Sequence, residues 1–166
     1  MALANVVGAR DDPVLAYNFL ITLVDSSSVL ATAASAIGST AVGGFSECSG
    51  LELTLKVEEY NEGGRNGAVL KFPTRVLWTN LTLKRGMTSS TELWDWHYSF
   101  VEGRGKRRDG IIVLQSDLHL PVKIWNFKRG LPVKWTGPSM NASQNNVAVE
   151  ALEIAHEGLS QVSSLV

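Results

Sequence analysis

The chain has 166 residues, 45% hydrophobic and 19% charged, with a formal net charge of −1. This is the make-up of one ordinary globular domain, long enough to bury about 70% of its unfolded surface, and its near-neutral balance excludes bulk attraction to nucleic acid or an anionic membrane. A lone Cys48 excludes an internal disulfide and suits a reducing compartment.

MALANVVGARDDPV lacks the charged-then-apolar order of a Sec signal. No run of about 18 apolar residues is present to span a bilayer. The expectation is a soluble protein made in the cytoplasm. Residues 1–13 read as a polar lead-in closed by Asp11-Asp12-Pro13. Over 14–24, Tyr17, Phe19, Ile21 and Leu23 alternate with Asn18, Leu20, Thr22 and Val24, which predicts a strand covered on both faces. Residues 25–44, DSSSVLATAASAIGSTAVGG, are rich in Ser, Ala and Gly. They read either as a surface loop or as a segment that orders against a neighbouring chain.

In the next stretch Leu51, Leu53, Leu55 and Val57 alternate with Glu52, Thr54, Lys56 and Glu58. A period of two predicts an antiparallel strand with one oily and one wet face. Covering the oily face is worth about 1.5–3 kcal/mol per side chain and fixes the register. Asn61-Glu62-Gly63-Gly64-Arg65-Asn66-Gly67 reads as a hairpin tip. It lacks the Lys-Ser/Thr ending of a phosphate loop. Pro73 ends the short run Val69–Phe72 or places it on an edge. From 75 to 85, Leu77, Thr79, Leu81 and Leu83 alternate with Trp78, Asn80, Thr82 and Lys84, predicting a partner strand for 51–60.

Ser89 and Glu92 have capping-box spacing. Leu93, Trp96, His97 and Phe100 follow at i, i+3, i+4 and i+7, predicting a helix over 90–101 whose stripe packs on a sheet. The basic run Gly103–Gly110 has no interleaved aromatics, so a solvated or subunit-contacting loop is preferred to a nucleic-acid site. Strands are expected at 111–114 and 120–127, then an irregular connection over 128–146 anchored by Trp135. Residues 147–156 fit helix or strand by period, with strand preferred, and 158–166 read as a loose tail.

Nothing here points to an enzyme, cofactor or metal. His97, His119 and His156 lack metal-ligand spacing, and Glu47 beside Cys48 raises a thiol pKa rather than lowering it. A closed barrel lined by the five Trp and five Phe around a small ligand is the rival reading.

Gly44-Phe45-Ser46-Glu47-Cys48-Ser49-Gly50-Leu51-Glu52 and Glu59-Tyr60-Asn61-Glu62-Gly63-Gly64 resemble the opening of the phage T4-type tail-tube family. Asn80-Leu81-Thr82-Leu83-Lys84-Arg85-Gly86, Leu93-Trp94-Asp95-Trp96, Pro132-Val133-Lys134-Trp135, Gly137-Pro138 and EALEIAHE (150–157) follow in the family's order. The likeness spans about residues 14–160. It looks closest to inner-tube proteins of extracellular contractile injection systems, and the long 26–43 segment is a departure from the family's pattern.

The resemblance implies a single mainly β domain, barrel- or sandwich-like and antiparallel, with one flanking helix. It implies homohexameric rings stacked into a hollow tube, driven through a target envelope with cargo in the bore. Partners would be sheath, baseplate and cap proteins, in a particle assembled in the cytoplasm and acting outside it. No membrane anchor or sequence-specific nucleic acid is implied, and a terminal adaptor ring is the variant within the family. On that basis Glu52, Thr54, Lys56, Glu58, Asn80, Thr82 and Lys84 are expected to face the channel. Leu51, Leu53, Leu55, Val57, Leu77, Leu81 and Leu83 would face the core. The 61–67 tip and the 26–43 segment are expected to contact the next ring.

Overall fold

The structure, a computed structural model, describes residues 13–25, 44–63 and 67–163. The expected lead-in and most of the 25–44 segment, together with Gly64-Arg65-Asn66, lie outside them. The elements are β1 (Phe19–Asp25), β2 (Glu47–Ser49), β3 (Leu53–Tyr60), β4 (Leu70–Trp78), β5 (Leu81–Gly86), α1 (Glu92–Val101), β6 (Arg108–Gln115), β7 (Pro121–Thr136), β8 (Val149–Ala155) and β9 (Gly158–Ser163). All strand pairs are antiparallel. Among the described residues the architecture is mainly β with one helix, as expected.

One sheet runs β1-β6-β7-β8-β5-β2, with β9 also on β7. β7 carries it: residues 121–130 pair with β6, 123–128 with β9, and 131–136 with β8. Because β8 and β9 follow each other along one side of β7, they act as a single strand bent at His156-Glu157. Periodicity explains the core. On β5 and β8 the register Leu81↔Ile154, Leu83↔Leu152, Arg85↔Glu150 puts alternate residues on one buried face. These leucines meet Ile21 and Leu23 of β1, Ile112 of β6, Phe127 of β7, and Leu93 and Trp96 of α1. Phe127 lies flat over Gly110, where a Cβ would come within 2.2 Å of the ring, so the core needs glycine there. The centre of the sheet is therefore packed with side chains.

Five expectations change. The 14–24 strand starts only at Phe19. The connection at 128–146 is strand as far as Thr136; Pro132 is tolerated because the register shifts between it and Lys134. The 158–166 tail is strand over 158–163, held by its ladder to β7. The capping box does not form: Thr91 is the N-cap, its hydroxyl donates to Asp95, and Glu92 pairs with Arg108 instead. Finally, 75–85 is not one strand. It breaks at Thr79-Asn80, so 70–78 pairs with β3 while 81–86 joins β2 and β8.

Candidate functional site

The break at Thr79-Asn80 separates a two-stranded ribbon from the main sheet. β3 and β4 form a two-stranded sheet of their own. Antiparallel partners share a face, so Leu53↔Trp78, Leu55↔Val76 and Val57↔Pro73 make one apolar face. Thr54↔Leu77, Glu58↔Phe72 and Tyr60↔Leu70 make the other, which carries Lys56 as well. The expected alternation of β3 thus holds. Leu77, however, lies with Thr54 rather than with the leucines, and Trp78 takes the place expected of it. The cause is the break, which sets the register of 70–78 independently of Leu81 and Leu83.

The ribbon's apolar side is open. Leu53, Leu55 and Val57 are 58%, 53% and 52% exposed, so within one chain they are not core residues. Leu51, at the root, packs against the core, and Leu81 and Leu83 are fully buried in it. An isolated two-stranded ribbon is marginal in water, and an exposed apolar strand pair with open edges invites association. Its root is built firmly. Gly50 has φ +90°, and a Cβ there would stand 2.1 Å from the Asn80 carbonyl oxygen. Asn80 Nδ2 donates to Glu153 Oε1 at 2.8 Å, His156 Nε2 to the Thr79 carbonyl at 3.1 Å, and Thr79 Oγ1 to Glu52 Oε2 at 3.3 Å. At the shift in register between Leu55 and Val57, Thr74 Oγ1 donates to the Lys56 carbonyl at 3.0 Å. Near the tip Glu59 and Lys71 are 3.3 Å apart.

The remaining expected residues fall elsewhere. Asn80, Thr82 and Lys84 are not on the ribbon: Asn80 is spent on Glu153, Thr82 is half-buried, and Lys84 binds Glu47 at 2.8 Å. Leu93 and Trp96 of α1 are buried as expected, Phe100 packs on the core, and His97 is half-buried. Of the tip, Asn61, Glu62, Gly63 and Gly67 are exposed.

The three arginines of the basic run form ion pairs within the chain. Arg104 pairs with Glu102, Arg107 with Glu157 at 3.0 Å, and Arg108 with Glu92 at 3.2 Å while lying 5.2 Å over the Trp96 ring.

Two features escaped the sequence reading. Arg85 and Glu150, only 2% and 3% exposed, form a buried ion pair at 2.7 Å, and Trp135 Nε1 donates to the second Glu150 oxygen at 2.9 Å. The second is an apolar cleft of about 310 Å³ lined by Phe19, Cys48, Leu51, Ile112, Leu114 and Trp125. It lies between β1 and β2, the two ends of that strand order among the described residues. Burial and then the neighbouring Glu47 push the Cys48 thiol up to about 11, far from a nucleophile's range. Among the described residues no cluster of His, Cys, Asp and Glu could hold a metal.

Residues 16–160 match the family described as T4-like virus tail tube protein gp19. No curated protein matches the chain. Among solved structures it resembles a chain of the anti-feeding prophage baseplate, six-fold symmetrised, at TM-score 0.80 and 23% identity, covering 95% of this chain and 100% of that one. This shows the fold. A chain of the PVC extracellular contractile injection system sheath–tube complex is 25% identical at TM-score 0.75, with 92% and 93% covered. A chain of the PVC sheath/tube terminator is 25% identical at TM-score 0.77, with 93% and 100% covered. The chain belongs to the T4-like virus tail tube protein gp19 family, a family of structural tube proteins rather than enzymes.

Proposed function

We propose that this chain is the inner-tube subunit of a contractile injection system or phage-tail-like particle. Six copies close into a ring, and rings stack into a hollow tube that a contracting sheath drives through a target envelope with cargo inside. The observation that carries this is the ribbon: it is rooted rigidly, extends from a complete core, and leaves an apolar face and two strand edges unsatisfied. Ring closure removes free edges as no monomer can. The face bearing Glu52, Thr54, Lys56 and Glu58, interspersed with Leu77, Phe72, Tyr60 and Leu70, then lines the bore. The 61–67 tip and the 26–43 segment contact the next ring. Sheath, baseplate and cap proteins are the partners, in line with the assemblies in which the similar chains were solved.

Equal identity to the sheath–tube chain and to the terminator chain favours one second reading, a terminal ring. Negative-stain electron microscopy of the purified protein separates the two. Tubes, or rings that stack as concentration rises, are expected; discrete rings that never elongate support the terminal reading. A monomer at all concentrations overturns both.

A further inference from the structure

We infer that His156 is a positioning residue for the ribbon: a neutral imidazole, protonated on Nε2, that ties the Thr79 carbonyl to the bend between β8 and β9. Its importance for ring closure rests on the tube-subunit reading above; its chemistry within one chain does not.

The backbone ladder between β5 and β8 ends at the rung Leu81↔Ile154. Continued to Thr79 it would reach His156, and 75–85 would be the single strand that its alternation predicts. Side chains of β8 and the bend take the place of those rungs. Glu153 holds the Asn80 amide at 2.8 Å, and the His156 ring holds the Thr79 carbonyl at 3.1 Å. The Thr79 amide is turned to the Glu52 carbonyl at 3.4 Å. Both polar backbone groups of Thr79 are thus satisfied off the sheet, which lets the chain leave it there.

The imidazole is half-buried and lies against two other rings. Trp78, the last residue of β4, is 5.9 Å away between centroids, and Phe127 of the core is 6.2 Å away. Phe127 is held in turn by Gly110 and Gly130, where a Cβ would come within 2.2 and 2.7 Å of its ring. His156 therefore joins the end of the ribbon to a tightly packed part of the core. Its partner fixes its tautomer. A carbonyl only accepts, so Nε2 carries the proton. Nδ1, buried with no partner among the described residues, is then the bare lone pair of that tautomer. A ribbon free to swing about Thr79-Asn80 would have to be ordered at each ring closure, at a cost in affinity that a pinned ribbon avoids.

Two variants separate the hydrogen bond from the ring. His156→Phe keeps an aromatic ring against Trp78 and Phe127 but loses the donor; His156→Gln loses the ring but brings an amide donor to the same reach. Hydrogen exchange is measured below the assembly concentration, and electron microscopy finds the threshold concentration for rings. In His156→Phe, exchange over residues 50–80 should quicken about tenfold while that over 81–86 and 149–155 is unchanged, and the threshold should rise about tenfold. His156→Gln should bring both back to within about twofold of wild type. Nitrogen-15 NMR of the wild-type imidazole at mildly alkaline pH should show the proton on Nε2. A proton on Nδ1, an unchanged threshold in His156→Phe, no rescue by His156→Gln, or quickened exchange throughout the chain overturns the assignment while the tube reading stands. If the wild-type chain forms no rings, the tube reading falls and the role in ring closure with it, and exchange and NMR alone decide whether His156 holds the ribbon.

Discussion

Glu150 accepts from Arg85 at one carboxylate oxygen and from Trp135 at the other, while Arg85 also donates to the Ser90 carbonyl at 3.3 Å. Removing one partner of a buried pair costs more than the pair contributes, because the survivor keeps its desolvation penalty. Glu150→Ala should therefore lose about 3–5 kcal/mol in urea unfolding. Trp135→Phe, which breaks only the indole hydrogen bond, should lose about 1.5–3 kcal/mol. Equal losses would mean that the charge pair contributes nothing specific. Cys48 tests a second environment. Its thiol ordinarily ionises at 9.0 and here at about 11. Over that interval the unfolded chain has given up the proton while the folded chain keeps it. The contribution is thus fully present below pH 9 and is lost as pH rises towards 11. Relative to Cys48→Ala, the wild type should lose about 1–2 kcal/mol across that window, less than the full linkage value because the thiol is half-buried. A flat difference would show that the thiol is hydrated.

At the scale of elements, the ribbon's usefulness depends on its root. Gly50 admits the Asn80 carbonyl where any Cβ would collide and adopts a φ that other residues avoid. Gly50→Ala should cost about 1–3 kcal/mol of strain. It should also impair ring formation, since Gly50 and Asn80 set the angle at which the ribbon leaves the core. Circular dichroism melting set beside microscopy checks this, and unimpaired rings would show that the ribbon's angle is unimportant. Elements were legible wherever one period ran unbroken. The alternation of Leu53, Leu55 and Val57 named β3, and the spacing of Leu93, Trp96 and Phe100 named α1. The break at Thr79-Asn80 was hidden because polar residues there also continue the alternation, so two strands in different sheets read as one. β9 was hidden by its small polar residues, since GLSQVS gains its order from the ladder to β7 rather than from its own propensity.

For the whole molecule, ordered motifs from Gly44 to Glu157 identified the family, and the structure explains why motifs far apart in sequence travel together. Arg85, Trp135 and Glu150 come from three different motifs and meet in one buried network. No periodicity argument reaches such a meeting, because it depends on strand order. The seam cleft was illegible for the same reason: Phe19, Cys48, Leu114 and Trp125 come together only when the sheet rolls.

The extra residue that β4 carries opposite Lys56 has a consequence for shape. A two-against-one mismatch makes a strand pair coil and bow instead of lying flat. Copies of a bowed hairpin laid side by side tile a cylinder more readily than a plane. On the proposed tube reading, one mismatched rung would bias neighbouring copies towards a narrow round conduit over a spreading sheet.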